Sequence, residues 1–326
     1  MNTEFDAHRF KCNSSMSKLF VSVIIPNYNH ACYLDERIQS VLNQTYQNFE
    51  VIILDDKSTD NSVEVINKYK DNPHISHIVL NNENSGSTFK QWQKGFDLAE
   101  GELIWIAESD DSCENNFLFS LIEMMNKDNS SIMAFCRSMV IDENGINKYI
   151  YPSQREINHS KKHENGRFAG ELKYKNIVVN ASSCIFRKDS LKNMDKTYMG
   201  FQGCGDWLFW ILIAEQGTVW QVSHVLNKFR MHSTNTTQKL NYDGTNDREV
   251  LQIANYLYTK KHINKKQLEK WKVQRLKLHR RNPDMFNKAI EKSFRKEWGI
   301  GWSTVIISWI SSFLQRLCLF LNRFIV

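Results

Sequence analysis

Between residues 20 and 107 the chain alternates short apolar runs with longer segments whose apolar residues recur at helical spacing. FVSVIIP (20–26) is β-branched and ends in Pro, which predicts a buried strand. In YLDERIQSVLNQ (33–44), Leu34, Ile38, Val41 and Leu42 mark one face of a helix. FEVIIL (49–54) predicts a second strand, followed by a helix carrying Val63, Val65, Ile66 and Tyr69, with Asp60 or Ser62 to cap it. ISHIVL (75–80) reads as a third strand and NNENSGS (81–87) as a loop. TFKQWQKGFDLAE is a helix stopped by Gly101, and ELIWIA (102–107) is the fourth strand.

Strands that are apolar throughout, separated by amphipathic helices, predict an α/β fold with a Rossmann-like, mostly parallel sheet covered by helices on both faces. The second half is less regular. FLFSLIEMMNK (117–127) predicts a helix, IMAFCRSMVID (132–142) a strand ending in a DENG turn, and ASSCIFRK (181–188) another strand. Residues 152–170 read as a polar loop. DWLFWILIAEQG (206–217) is an apolar helix, and VWQVSHVLNKFRMH (219–232) is one strand or two. From about 247 the pattern is helical and basic.

Charge divides the chain unevenly. The net charge is +6, yet residues 260–299 hold fourteen Lys/Arg against four Asp/Glu, so the remainder is acidic. A basic segment on an acidic body predicts an anionic surface as partner. Residues 302–326 carry only Arg316 and Arg323 as charges, and Ser308, Ser311, Ser312, Gln315 and Asn322 fall on one stripe. That predicts an amphipathic helix lying in a membrane interface, with the basic segment as a second anchor. The first fifteen residues are polar, and MSKLFVSVII from Met16 reads like a protein start, so they predict a dispensable tail. Seven scattered Cys without a CxxC pair point to neither a zinc site nor a disulfide framework, and fit a reducing, cytosolic setting.

In an open parallel sheet, ligands sit beyond the carboxyl ends of the strands. Here the ends are Pro26-Asn27-Tyr28-Asn29, Asp55-Asp56-Lys57-Ser58 and Ser109-Asp110-Asp111. An aromatic ring and two acidic pairs on one edge suit a sugar nucleotide. Tyr28 can stack on a base, and Asp55 or Asp56 can accept the imide N–H of uracil or thymine. Asp110 and Asp111 cannot easily face a diphosphate unless a divalent cation lies between, and carboxylates favour Mg²⁺ or Mn²⁺. Any one of these acids could instead cap the next helix; it is their ordered recurrence at successive strand ends that points to a site.

VSVIIPNYNHACYLDERIQSVLNQTYQNFEVIILDDKSTDNS resembles the opening of the family-2 glycosyltransferases, and GELIWIAESDDS resembles their DxD-type metal motif. The resemblance reaches about residue 240 and implies the GT-A fold and inverting sugar transfer, in bacterial surface-polysaccharide synthesis. It implies Pro26, Tyr28 and Asp56 at the nucleotide, Asp110 toward the donor ribose or sugar, and Asp111 as main metal ligand. Ser109 stands where many members have another Asp. GCGDWLFW resembles the family's acid before an aromatic-rich helix, which implies Asp206 as the catalytic base; the same position would also suit a helix N-cap. KFRMHSTNTT resembles its R-x-H element, with His232 at the diphosphate or in the metal shell and Arg230 near phosphate. Lys90 would be a cation near the diphosphate.

The expected organisation is a tail (1–17), a nucleotide-sugar-binding half (18–115), an acceptor-binding half (116–245), a basic helical extension (246–300) and an amphipathic membrane-associating helix (301–326). The expected enzyme takes a UDP- or dTDP-sugar and Mn²⁺ or Mg²⁺, and acts on a glycan or lipid-linked acceptor. It would sit at the cytoplasmic face of the cell membrane, peripherally. A nucleotidyl- or phosphotransferase would need a phosphate-cradling Gly-rich loop or a nucleophilic Asp motif after the first strand, where this chain has Pro-Asn-Tyr-Asn. A nucleic-acid partner has only the basic helices in its favour, without a recognisable binding fold.

Overall fold

The computed structural model describes residues 18–153, 158–173, 175–178, 180–232, 240–281, 288–301, 306 and 310. The expected tail, and nearly all of the expected amphipathic helix, lie outside the described residues.

The first half alternates as its pattern predicts: β1 (Val21–Asn27), α1 (Ala31–Leu42), β2 (Phe49–Asp55), α2 (Ser62–Asn67), β3 (Ile75–Leu80), α3 (Thr88–Leu98) and β4 (Leu103–Ile106). These four strands pair in parallel in the order β3-β2-β1-β4. Every residue of β1, β2 and β4 is buried, because helices cover both faces. Alternate residues therefore feed separate cores. Ile24, Ile52, Leu54, Ile104 and Ile106 pack on the α3 side, while Val23, Ile25, Val51, Ile53 and Trp105 pack on the α1 side.

Beyond β4 come β5 (Ser112–Cys113), α4 (Phe117–Asn126), β6 (Ser131–Asp142), β7 (Asn147–Tyr151), β8 (Lys161–His163), α5 (Arg167–Leu172), β9 (Cys184–Arg187), α6 (Gly205–Ala214) and β10 (Thr218–Met231). The sheet continues β4-β9-β6-β10-β5. It is mixed here rather than mostly parallel: β9 runs antiparallel to both β4 and β6. Two reversals restore the direction, so β6 and β10 run parallel to each other and to β1. The expected polar loop 152–170 contains β8 and the start of α5, whose Phe168 and Ala169 are buried in the α3-side core. Residues 219–232 form one long strand, with register shifts where it bends against β6.

The extension comprises α7 (Thr245–Thr259), α8 (Lys265–Arg281) and α9 (Lys288–Glu297). It is not a separate unit. Val250, Ile253, Ala254 and Leu257 of α7 and Trp271 and Leu276 of α8 join the same core as α3 and α6. Among the described residues no helix is long and apolar enough to cross a membrane.

Candidate active site

Parallel strands bring their carboxyl ends to one edge, and the chain's chemistry collects there. β1 delivers Tyr28 and His30, β2 delivers Asp55 and Asp56, and β4 delivers Glu108 to Asp111. β10 shares their direction, so its end places His232 at the same edge. A helix leading into a parallel strand starts at that edge too, which puts the first turn of α6, with Asp206, on this side.

The adjacent acids at the end of β4 are in different surroundings. Asp111 is 1% exposed. Its Oδ2 accepts from Asn180 Nδ2 (2.8 Å) and Ser182 Oγ (2.7 Å), and its Oδ1 from the Arg230 backbone N–H (2.9 Å). Arg37, fully buried, brings its guanidinium to 3.8 Å. Burial, then the neighbouring Asp110 charge, push the Asp111 carboxyl up, against the pull of Arg37. Asp110 lies beside two imidazoles. Its Oδ2 is 3.1 Å from His232 Nε2, and His30, Asp110 and His232 each offer a ligand atom within 4.8 Å of the others. Burial pushes the Asp110 carboxyl up, but the His232 hydrogen bond and the His30 ring outweigh it and hold it below the usual range.

The two acids, expected at the metal (Asp111) and toward the donor ribose or sugar (Asp110), are therefore separated by their surroundings. The carboxylate grouped with potential metal ligands is Asp110, whereas Asp111 ties β4 to the 180–182 segment and β10. The spacing of the motif could not separate them, because both lie in the turn between β4 and β5, where no fixed alternation sets the direction of a side chain.

His30 is the residue that the sequence reading passed over. It stands at the start of α1, and its Nδ1 pairs with Ser109 Oγ at 2.8 Å. That contact fixes the ring and makes Ser109 a support of the cluster rather than filler. Burial lowers the His30 pKa, whereas the hydrogen bond to Asp110 raises that of His232. The His232 ring stacks on Tyr33 (5.9 Å between centroids), and the Arg230 guanidinium lies 4.6 Å from the centre of the same Tyr33 ring. Arg230 is 3% exposed and is spent on Glu36, the Asp110 carbonyl and the Asp142 carbonyl. It braces the edge; it was expected near phosphate.

On the nucleotide side, Tyr28 is 47% exposed and stands clear at the edge. Pro26 is buried inside β1, in register with Leu54, and shapes the strand. Asp55 accepts from Asn27 Nδ2 (2.8 Å), Ser58 N (2.9 Å) and Ser58 Oγ (2.6 Å). Asp56 accepts from Asn81, Gln91 and both the backbone and hydroxyl of Ser85. Both acids thus order the loops around the edge, Asp56 by gathering 81–91. Lys90 is exposed at the start of α3 and donates to the Ser85 carbonyl at 3.1 Å.

Asp206 occupies the first turn of α6. The residue before the helix is Cys204, and no side chain caps it. Asn176 Nδ2 donates to Asp206 Oδ2 at 3.0 Å. Burial pushes the Asp206 carboxyl up to about 7, although hydrogen bonds from the Trp207 backbone and Asn176 pull the other way. Glu108 is likewise pushed up to about 8, by burial and then by Asp110, and accepts from Trp92 Nε1 at 3.0 Å. The start of α6 is pressed onto α3: a Cβ at Gly205 would lie 2.6 Å from the Phe89 ring and 2.5 Å from the Tyr198 carbonyl. Trp92, Trp105 and Trp210 are core residues, and Trp207 stacks on Trp271.

An open α/β sheet covered by helices on both faces, with its acids and imidazoles collected at the carboxyl edge, fits the GT-A architecture. The pattern described as "Glycosyl transferase family 2" matches residues 22–194, and the chain belongs to that family of glycosyltransferases. Glycosyltransferase GlyG of Streptococcus pneumoniae serotype 4 is 35% identical over 142 residues, 44% of this chain and 46% of GlyG. WfaP of Escherichia coli, "UDP-Glc:alpha-D-GlcNAc-diphosphoundecaprenol beta-1,3-glucosyltransferase", is 27% identical over 214 residues, 65% of this chain and 78% of WfaP. The match to GlyG thus spans about half of that protein's length. Among solved structures, S. aureus TarS 1–349 in complex with UDP-GlcNAc superposes with a TM-score of 0.62 at 19% identity, covering 80% of this chain and 72% of TarS. That likeness speaks for the fold.

Proposed function

We propose that this protein is a metal-dependent, inverting glycosyltransferase that moves a sugar from a UDP- or dTDP-sugar to a hydroxyl of a glycan or lipid-linked acceptor in surface-polysaccharide synthesis. The observation that carries the reading is the His30–Asp110–His232 cluster on the same sheet edge as Asp206. One carboxylate and two imidazoles fit a divalent cation, and the imidazoles favour Mn²⁺ over Mg²⁺. When bound, such a cation would neutralise charge gathering on the departing diphosphate.

The chain's own groups supply the rest. Asp206 takes the proton of the acceptor hydroxyl as that oxygen forms its bond to the anomeric carbon and the bond to the diphosphate oxygen breaks. A carboxyl titrating near 7 is well matched to that task at neutral pH. Tyr28 offers its exposed ring to the base, and the loop gathered by Asp56 closes that side. The nucleotide assignment is supported by the uridine-diphosphate donor in the name of WfaP, and the acceptor class by the lipid diphosphate in the same name.

The test is a thermal-shift screen of UDP, dTDP, ADP and GDP, each with and without Mn²⁺. A ligand at 100 times its Kd stabilises the native state by about 2.7 kcal/mol. UDP or dTDP should raise Tm by several degrees in Mn²⁺ and much less without it; equal shifts for all four nucleotides, or none, would sink the reading. We further propose that the extension docks peripherally on the cytoplasmic membrane face, since α8 exposes Lys265, Lys266 and Lys270. The protein should then co-sediment with phosphatidylglycerol-containing vesicles at low salt and be released at high salt; failure to bind them refutes this part.

A further inference from the structure

Three successive backbone N–H groups just before α6 converge on one carboxylate from the extension. Glu249, on α7, is 5% exposed. Its Oε1 accepts from Gln202 N (2.5 Å), and its Oε2 from Gly203 N (2.9 Å) and Cys204 N (2.7 Å). Successive amides of this kind form an anion-binding concavity, here filled from within the chain. One turn away, Asn246 Oδ1 accepts from the Cys204 thiol at 3.5 Å. The second helix of the extension grips the same segment from the other end: Trp271 of α8 stacks on Trp207 with ring centroids 5.0 Å apart and planes 13° apart. The two helices are joined by a buried cluster in which Asp247 accepts from Arg275 and from His279.

Residues 202–207 are therefore held on both sides of Asp206 by α7 and α8. We propose that Glu249 is a positioning residue for the catalytic base, and that the α7–α8 pair, besides docking on the membrane, is part of the catalytic apparatus. The inference rests on Asp206 being the base. The physical reason is geometric economy: Asp206 sits in the first turn of a helix that no side chain caps, so the preceding backbone decides where its carboxylate lies. A displacement of about 1 Å at a reacting group can cost on the order of 10²-fold in rate. The Glu249 charge also reaches Asp206 and helps to raise its pKa, behind burial.

The test compares full-length wild type with Glu249→Gln, Asp206→Asn and Gly203→Ala. Glutamine keeps the shape of Glu249 but turns an N–H₂ toward backbone donors. Two measurements need no substrate: hydrogen exchange across 202–204, and the pH dependence of Tm, in which the titration of Asp206 is the part that Asp206→Asn abolishes. The third is UDP release from UDP-glucose and UDP-N-acetylglucosamine with Mn²⁺. Glu249→Gln should speed exchange of the three amides at least tenfold, move the Asp206 titration to lower pH, and cut kcat ten- to a hundredfold with donor KM unchanged within twofold. Unchanged exchange together with an unmoved titration overturns the proposal, as does a fall in kcat matched by an equal loss of donor binding. If Asp206→Asn stays active, the base assignment fails instead. Should Glu249→Gln not fold, Gly203→Ala decides. It keeps the carboxylate, but its Cβ meets Asn246 and Leu240, so faster exchange and lower kcat are expected, and wild-type values for both overturn the proposal.

Discussion

Asp206→Asn should lower the rate of sugar transfer about 10²–10⁴-fold, with donor KM little changed. The asparagine keeps the contact region of α6 and the size of the side chain, but cannot take a proton. Because the loss is confined to the step in which the acceptor hydroxyl attacks, it should fall on kcat. The same variant carries a second signature. The native carboxyl titrates near 7 because it is buried, whereas in the unfolded chain an Asp titrates at about 3.9. The native state thus holds this proton to a higher pH than the unfolded state does. Its contribution to stability is fully present below about pH 4 and is lost as pH rises to about 7. The asparagine cannot ionise, so the variant should gain Tm relative to wild type across that window and hold its advantage at pH 8. A Tm series from pH 4 to 8 checks this; parallel curves would mean that Asp206 is not a raised carboxyl. Wild-type kcat/KM should in turn rise through a limb near pH 7, as the base deprotonates.

How much of this was visible in the sequence depends on which physical constraint speaks. Strands buried on both faces must be apolar at every position, and β1, β2 and β4 therefore announced themselves to within a residue or two. Their ends, and hence Tyr28, Asp55, Asp56, Asp110 and Asp111, followed from the parallel topology. The path of the turn after β4 did not follow, and that is why the resemblance put Asp111 first at the metal while the structure groups Asp110 with the two imidazoles. His30 gave no periodic or spacing signal; it counts only because β10, about two hundred residues later, returns His232 to its side at 5.6 Å between ring centroids. The strand at 184–187 was legible but its antiparallel direction was not, since an apolar run reads alike in either direction. Glu249 is one of two acids in the first turns of α7, and no local pattern marks it out. Only the long-range contact with residues 202–204 distinguishes it.

The different surroundings of the two acids support the second large effect. Asp110→Asn should erase the Mn²⁺-dependent part of the nucleotide-induced thermal shift while costing the unliganded protein less stability than Asp111→Asn does. The acid lies in the turn after β4, so an amide there loses an anionic ligand and the His232 contact but leaves no fully buried guanidinium without its partner. If cation affinity falls about 100-fold, a stabilisation of about 2.7 kcal/mol at 100 times Kd shrinks to about 0.4 kcal/mol. Asp111→Asn should do the opposite. Removing its charge leaves Arg37, fully buried, without its 3.8 Å partner, and breaking one side of a buried pair costs about 3–5 kcal/mol. It also sets an amide N–H₂ among the donors Asn180, Ser182 and the Arg230 backbone. Urea unfolding should report a lower midpoint for Asp111→Asn, and the fraction that remains folded should keep its Mn²⁺ response. The reverse pattern, with metal response lost at 111 and stability lost at 110, would return the ligand to Asp111. The two adjacent carboxylates that repel each other on paper are reconciled because each answers to a different positive partner: a buried guanidinium for one, and imidazoles with room for a cation for the other.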